Sequence, residues 1–224
     1  MTDLPPPPPY QPPPYGSPPP GGGSPDVGAA ISYGWKKFQQ NVGPLLAVVL
    51  IPVAVQVVLS IISRSVVNSL AGALLFNVLG VIVGAVAGIG IYQMALMITA
   101  GQPADVGKAF TYDRWGEWIV FSFVFGLMVG FGLVLCIIPG LFVLAFFGLA
   151  PFYFLDGRLG LGESLRASRA AVQSKGLAFP ILLSIVVGVL GVIACLIGIF
   201  VTEPIAYLAV AFLYRYAAGQ PVAA

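Results

Sequence analysis

The sequence predicts an all-α fold, that of a polytopic membrane protein with six transmembrane helices. Hydrophobic residues make up 58% of the 224 residues, charged residues make up 8%, and histidine is absent. This composition is typical of integral membrane proteins. A helix needs about 20 mostly apolar residues to cross a bilayer. Six apolar segments reach or approach that length, at residues 43–64, 77–99, 117–138, 140–155, 177–199 and 201–217.

Composition divides the chain into three parts. Residues 1–25 form a Pro/Gly-rich tail that holds 12 of the 20 prolines. Because proline fixes φ and lacks a backbone donor, we expect this tail to be disordered and locally extended. Residues 26–218 form the transmembrane domain, and residues 219–224 form a short C-terminal tail. Two interpretations of the first tail stay open: a ligand for an aromatic-lined groove on a cytoplasmic protein, or a solvated spacer.

The basic residues predict the orientation of the helices. Nine of the ten Lys and Arg residues fall on one side of a six-helix arrangement, and Arg64 falls on the other. Because Lys and Arg are enriched in cytoplasmic loops, we expect both termini in the cytoplasm. The nine residues are Lys36, Lys37, Lys108, Arg114, Arg158, Arg166, Arg169, Lys175 and Arg215.

An internal repeat organises the apolar segments. Residues 26–33 read DVGAAISY and residues 105–112 read DVGKAFTY, with five of the eight positions identical. A weaker third copy, residues 161–166, keeps the glycine, a small residue and an apolar residue. Segments two and six also end alike, with AGQP at residues 100–103 and 218–221. These matches predict three parallel repeats, each an interfacial helix followed by a helical hairpin.

Short connections and glycines predict close helix packing. Residues 138–140 (Ile-Pro-Gly) and residues 201–204 (Val-Thr-Glu-Pro) are predicted to form tight turns between the helices of a hairpin. Gly80, Gly84 and Gly88 recur every four residues, which lets helix backbones approach closely. This contact lies either within the monomer or between two chains, so the oligomeric state stays open.

The predicted interfacial helices carry candidate lipid-binding residues. In the first of them, apolar side chains recur at helical spacing from Val27 through Gly34 to Phe38, and basic residues flank that face. Such helices anchor the hairpins, bind anionic lipid headgroups, or do both. Each cation near an anionic surface contributes about 1 kcal/mol. The headgroup candidates are Lys36, Lys37, Arg166, Arg169 and Lys175.

Polar residues in or beside the apolar segments are the other candidates, because ionisable groups are costly in a membrane and usually mark function. Arg64 and Glu203 fall at the outer ends of their segments, and we expect them to pair across the outer face. Asp156 is predicted to serve in a turn or to pair with Arg158. The intramembrane candidates for helix–helix hydrogen bonds or a polar path are Gln56, Asn77 and Gln93.

Several classes of function are not expected. The chain has no histidine general base, no paired intramembrane carboxylates and no phosphate-binding loop, so we predict that it is not an enzyme and has no cofactor or metal. A net charge of +2 without a long basic cluster argues against nucleic-acid binding. Cys136 and Cys195 are interpreted as small buried apolar residues, with a disulfide as the alternative.

The second half of the chain carries a series of short motifs. They are Ile138-Pro139-Gly140, Ala150-Pro151-Phe152-Tyr153, Asp156-Gly157, Glu163-Ser164-Leu165, Ser168, Lys175-Gly176, Gly198 to Pro204, Tyr207 and Phe212-Leu213-Tyr214. In these motifs the chain resembles a group of uncharacterised bacterial six-span membrane proteins. The group includes a domain-of-unknown-function family and the membrane domains fused to some glycerophosphodiester phosphodiesterases. The resemblance implies a six-span protein of a bacterial plasma membrane and brings no catalytic residues. The Pro/Gly-rich tail is similar to those of actinobacterial membrane proteins.

Two functions follow as expectations. The first is a non-enzymatic scaffold or accessory subunit that contacts cytoplasmic partners, through the tail, and anionic membrane lipids. The alternative is a translocator of lipids or small solutes. A sealed bundle packed through glycines, with no polar cavity, would favour the scaffold. A cleft lined by Gln56, Asn77 and Gln93, or one that opens between hairpins, would favour the translocator.

Overall fold

The computed structural model describes residues 27–66, 70–135, 137–193 and 198–223. The predictions for the tail at residues 1–25 and for Cys136 and Cys195 lie outside these ranges. The described residues form α-helices and no β-strand, which confirms the all-α polytopic class. The helices are α1 (Val27–Gln40), α2 (Val42–Val66), α3 (Leu70–Thr99), α4 (Val106–Ala109), α5 (Trp115–Leu135), α6 (Ile137–Phe147), α7 (Ala150–Leu155), α8 (Leu161–Lys175), α9 (Ala178–Ile193) and α10 (Ile199–Ala218).

Within the described part of the chain, four stretches of helix are long and apolar enough to cross a membrane. The chain is an integral membrane protein on that ground. They are Val42–Arg64, Ala71–Thr99, Trp115–Leu135 and Ile138–Leu155. A fifth is added if α8 and α9, which meet at 110°, count together. The count of six stays a prediction. Large apolar side chains point outward on these helices, as they do where lipid surrounds a protein; Phe131, for example, is 63% exposed.

The predicted repeats share local structure. The helices of each hairpin pack against one another, α2 with α3, α5 with α6, and α9 with α10. A shorter helix precedes each hairpin: α1, α4 and α8. The small residue at the same repeat position, Ala30, Ala109 or Ser164, has no exposed surface in any of the three copies. Positions that the sequence match aligns are therefore buried alike in the three copies.

The two AGQP segments also fold alike. Gly101 and Gly219 both have left-handed backbone conformations, with φ of 73° and 68°. In each segment the next residue donates its backbone N–H five residues back, from Gln102 to Met97 and from Gln220 to Arg215. This pattern ends a helix at a glycine because glycine adopts positive φ without strain. Segments two and six therefore end in the same way.

Both predicted turns fall inside helices. Residues 201–204 belong to α10, which begins at Ile199, and residues 138–140 belong to α6, which begins at Ile137. Pro204 is accommodated inside the helix, as prolines often are in membrane helices. Helices α5 and α6 nevertheless approach each other closely. A Cβ atom on Gly132 would lie 2.8 Å from the Cα atom of Gly140, so only glycine fits there.

Helix α10 is the centre of the bundle. It packs against α1, α3 and α9, and its side chains from Leu208 to Tyr214 are buried. Trp118 on α5 is also buried, and its indole Nε1 donates a 2.8 Å hydrogen bond to the backbone oxygen of Ala85 on α3. An indole hydrogen bond inside an apolar core fixes the position of one helix relative to the other.

Helix α1 uses part of its apolar face to dock on α10. A Cβ atom on Gly34 would lie 2.6 Å from the backbone oxygen of Ile205, which shows how closely the two helices approach. Ala30 and Phe38 are buried beside Gly34, whereas Trp35 is 48% exposed. The apolar face of this predicted interfacial helix is therefore partly buried against α10 and partly exposed.

Candidate functional site

A buried arginine joins three parts of one end of the bundle. Arg215, near the end of α10, is 7% exposed. Its guanidinium donates to Thr99 Oγ1 at 2.9 Å, to the backbone oxygen of Leu96 at 3.1 Å and to Gln220 Oε1 at 3.1 Å. The C-terminal residues are held there as well, since the backbone N–H of Ala223 donates to the oxygen of Thr99 at 3.0 Å. Residues 219–223 are thus packed against the end of α3.

Asp156 belongs to the same network. One carboxylate oxygen, Oδ2, accepts hydrogen bonds from the Tyr214 hydroxyl and from Gln220 Nε2, both at 2.7 Å. The predicted pair with Arg158 does not form, because Arg158 bonds instead to both carboxylate oxygens of Asp113, at 2.9 and 3.0 Å. Asp156 therefore links α7 to α10 and to the C-terminal segment.

An open polar cavity of about 500 Å³ lies against this network. Its walls include Gln93, Asp156, Arg158 and Arg215, with Tyr112 at one side. Gln93 Nε2 donates weakly to the backbone oxygen of Thr111, at 3.4 Å. We call this end of the molecule, which comprises Arg114, Arg158, Arg215 and the whole of helix α8, the basic end.

Two tyrosines at matching repeat positions have buried hydroxyl groups. The hydroxyls of Tyr33 and Tyr112 have no hydrogen-bond partner among the described residues. Burial raises the pKa of Tyr33 to about 12, against a smaller opposing effect of the Arg215 charge. Burial likewise raises the pKa of Tyr112. The repeated motifs therefore bury a tyrosine hydroxyl at the same repeat position twice.

The lipid-headgroup candidates separate into exposed and packed residues. Lys36, Arg166 and Arg169 are exposed. Lys37 is 7% exposed and lies over the Tyr33 ring, 5.7 Å from its centroid. Burial lowers the pKa of Lys37, with a smaller contribution from the neighbouring Lys36 charge.

The last candidate, Lys175, is half-buried. Its ammonium donates to the backbone oxygen of Tyr216 at 2.9 Å, which ties the end of α8 to the end of α10.

Helix α8 presents its arginines on the face opposite its packed side. Ser164 and Ser168 are buried, and the Ser168 hydroxyl donates to the backbone oxygen of Phe146 at 2.9 Å. Gly176 ends the helix with a φ of 65°, and α9 then leaves at 110° to α8. Helix α8 therefore runs steeply across the direction of α9 instead of continuing it.

The opposite end of the α2–α3 hairpin holds another polar cavity, of about 590 Å³. Gln56, Arg64 and Asn77 line it together with two serines of α2. The Asn77 amide donates to the backbone oxygen of Ala73 at 2.8 Å. The structure thus brings Gln56 and Asn77 together but places Gln93 at the basic end.

Glu203 lies apart from Arg64. It sits on α10 and lines two other cavities, of about 260 and 240 Å³. The two salt bridges found among the described residues are Arg114–Glu117 and Arg158–Asp113. The predicted outer-face pair of Arg64 and Glu203 is therefore not brought together.

Comparisons with known proteins identify no relative. No protein-family model, no curated protein and no solved structure matches the chain. Among the described residues, no group of three His, Cys, Asp or Glu side chains is placed to hold a metal ion. The class that the fold defines is an integral membrane protein of several apolar helices, and any role rests on the geometry of its ends and cavities.

Proposed function

We propose that the protein is a non-enzymatic scaffold or accessory subunit of the membrane, held and oriented by anionic lipids at its basic end. The observation that supports this proposal is the geometry of α8. Its buried serines face the bundle, Arg166 and Arg169 face outward, and the helix turns 110° into α9. On this proposal both termini are cytoplasmic, and the membrane is a bacterial plasma membrane.

The exposed cations set the expected size of the lipid effect. Lys36, Arg166 and Arg169 are exposed on α1 and α8. At about 1 kcal/mol for each cation near an anionic surface, they contribute about 3 kcal/mol in total. Lys37 and Lys175 contribute less, because both are already engaged with neighbouring parts of the protein.

A lipid titration tests this proposal. The full chain, purified in mild detergent, is titrated with phosphatidylglycerol or with zwitterionic phosphatidylcholine while its thermal midpoint is followed. Phosphatidylglycerol should raise the midpoint more, because a ligand that binds the folded state stabilises it. Replacement of Arg166 and Arg169 by Gln should remove most of the difference, whereas replacement of both by Lys should retain it. Equal responses to the two lipids would contradict the proposal.

The scaffold role predicts a protein partner at the Pro-rich tail. Crosslinking in native membranes should capture the same cytoplasmic protein with the full chain and lose it when residues 2–25 are deleted. The deletion leaves the helices from Val27 onward unchanged, so the same preparation provides the lipid titration as a control. If the partner is still captured after the deletion, the contact lies on another surface and the tail is not its binding site.

Translocation is the second candidate function, and the cavities favour it. Polar cavities lie at the basic end and beside Arg64. Glu203 lines two more cavities beside α10, one toward α5–α7 and α9 and the other toward α2 and α3. Vesicles that contain the protein would then exchange a fluorescent lipid between leaflets faster than empty vesicles, as measured by dithionite quenching. An unchanged exchange rate would exclude lipid translocation under those conditions.

A further inference from the structure

A single carboxylate is shared by two apolar cavities on the sides of α10. Glu203 and Tyr207 line both of them. The larger cavity, of about 260 Å³, is otherwise walled mainly by apolar groups such as Phe125, Ile185 and Val210. The smaller, of about 240 Å³, lies toward α2 and α3. The two cavities therefore surround one acidic group with apolar walls.

Such a carboxylate favours a positively charged ligand. An ionised carboxylate in an apolar setting is costly unless it is paired, so these walls favour a ligand that brings a positive charge. Neither salt bridge found among the described residues includes Glu203. Arg64, which could have neutralised it, lines a different cavity.

Aromatic rings at the same site add a second preference for cations. The Tyr92 and Tyr207 rings meet edge to face with centroids 5.0 Å apart, and Tyr92 meets Phe152 in the same way at 5.1 Å. All three residues line the larger cavity. A cation over an aromatic face gains about 0.5–2 kcal/mol, most where water is excluded.

We propose that this cavity binds an amphiphilic organic cation, a molecule with one ammonium group and a compact apolar body. The ammonium pairs with Glu203, and the body packs against Phe125, Phe152 and Val210. A metal ion fits the site poorly, because hard cations require several oxygen ligands and Glu203 supplies one carboxylate. An uncharged apolar ligand would pack against the same side chains but leave the Glu203 carboxylate unpaired. This inference is independent of the lipid-binding role at the basic end.

The test compares a cation with its neutral isostere. Radiolabelled benzyltrimethylammonium is bound to the full chain in nanodiscs of phosphatidylcholine, and neopentylbenzene, which replaces the nitrogen by carbon, is the competitor. The cation should bind saturably, and the neutral isostere should compete at least about tenfold less well, which corresponds to about 1.4 kcal/mol. Equal competition would overturn the proposal and indicate an apolar-chain pocket.

Variants and a chemical probe assign the site. Glu203→Gln should weaken cation binding at least tenfold, Glu203→Asp should retain part of it, and Glu117→Gln, which removes a carboxylate outside both cavities, should leave it unchanged. If Glu203→Gln fails to fold, the comparison of the cation with its neutral isostere on the unmodified chain still tests the proposal. Benzyltrimethylammonium should slow the reaction of dicyclohexylcarbodiimide with Glu203, as followed by peptide mass spectrometry. The assignment would be refuted if dicyclohexylcarbodiimide still reacted fully with Glu203 at saturating benzyltrimethylammonium, or if Glu203→Gln bound the cation as tightly as the unmodified chain.

Discussion

Replacement of Arg215 should destabilise the contact of α10 with the end of α3 and with the C-terminal segment. Three of its hydrogen bonds are 3.1 Å or shorter, to Thr99, Leu96 and Gln220. Hydrogen bonds from a charged group contribute about 1.5–3 kcal/mol each, so a simple sum is about 4.5–9 kcal/mol. The polar cavity next to the guanidinium lets water reach the abandoned acceptors, which reduces the loss. We expect Arg215→Ala to lower the free energy of unfolding by about 3–5 kcal/mol.

The measurement is unfolding in mixed micelles by titration with SDS, followed through tryptophan fluorescence. Arg215→Lys should cost less than Arg215→Ala, because the charge remains while the forked set of donors is lost. Arg166→Ala is the matched control. It removes an exposed arginine, so its effect in lipid-free detergent should stay within about 0.5 kcal/mol. A loss below about 1 kcal/mol for Arg215→Ala would refute the reasoning from burial and hydrogen bonding.

Three further outcomes are expected in the same unfolding assay. Gly34→Ala should lose about 1–3 kcal/mol, because its Cβ would lie 2.6 Å from a backbone oxygen, whereas Gly126→Ala, with open space around the Cβ, should lose nothing. Trp118→Phe should lose about 1–3 kcal/mol, since the buried indole hydrogen bond to Ala85 and part of the packed ring are lost. Tyr33→Phe should be neutral or stabilising at pH 7, because the hydroxyl is unpaired. With its pKa raised to about 12, the wild type should lose stability between pH 10 and 12, and Tyr33→Phe should lose less.

The sequence predicted the helical class and the repeat because both rest on local patterns. Apolar length identifies membrane helices, and the two identical AGQP segments end their helices in the same way. The burial of Ala30, Ala109 and Ser164 shows that the repeat also fixes packing. The turn predicted at residues 201–204 was wrong. The residue before a proline disfavours helical backbone, but neighbouring helices accommodate Pro204 inside α10 here.

The site was less predictable because it depends on contacts between distant residues. Arg215 and Thr99 are joined across more than a hundred positions, and sequence periodicity carries no signal for that contact. The repeated AGQP segments were the available clue, since they place Gln220 beside Arg215. Lys37 looked like Lys36 in sequence, yet the docking of α1 on α10 buries one and exposes the other.

Labelling from each side of the membrane tests the central claim, that the chain crosses the bilayer with its basic end on one face and Arg64 on the other. Cys136 and Cys195 are replaced by Ser, and Arg64→Cys and Arg169→Cys are made one at a time. Intact cells and opened membranes are then treated with a membrane-impermeant maleimide. The account predicts labelling at position 64 in intact cells and at position 169 only after opening. Labelling of both positions from the same side would contradict it.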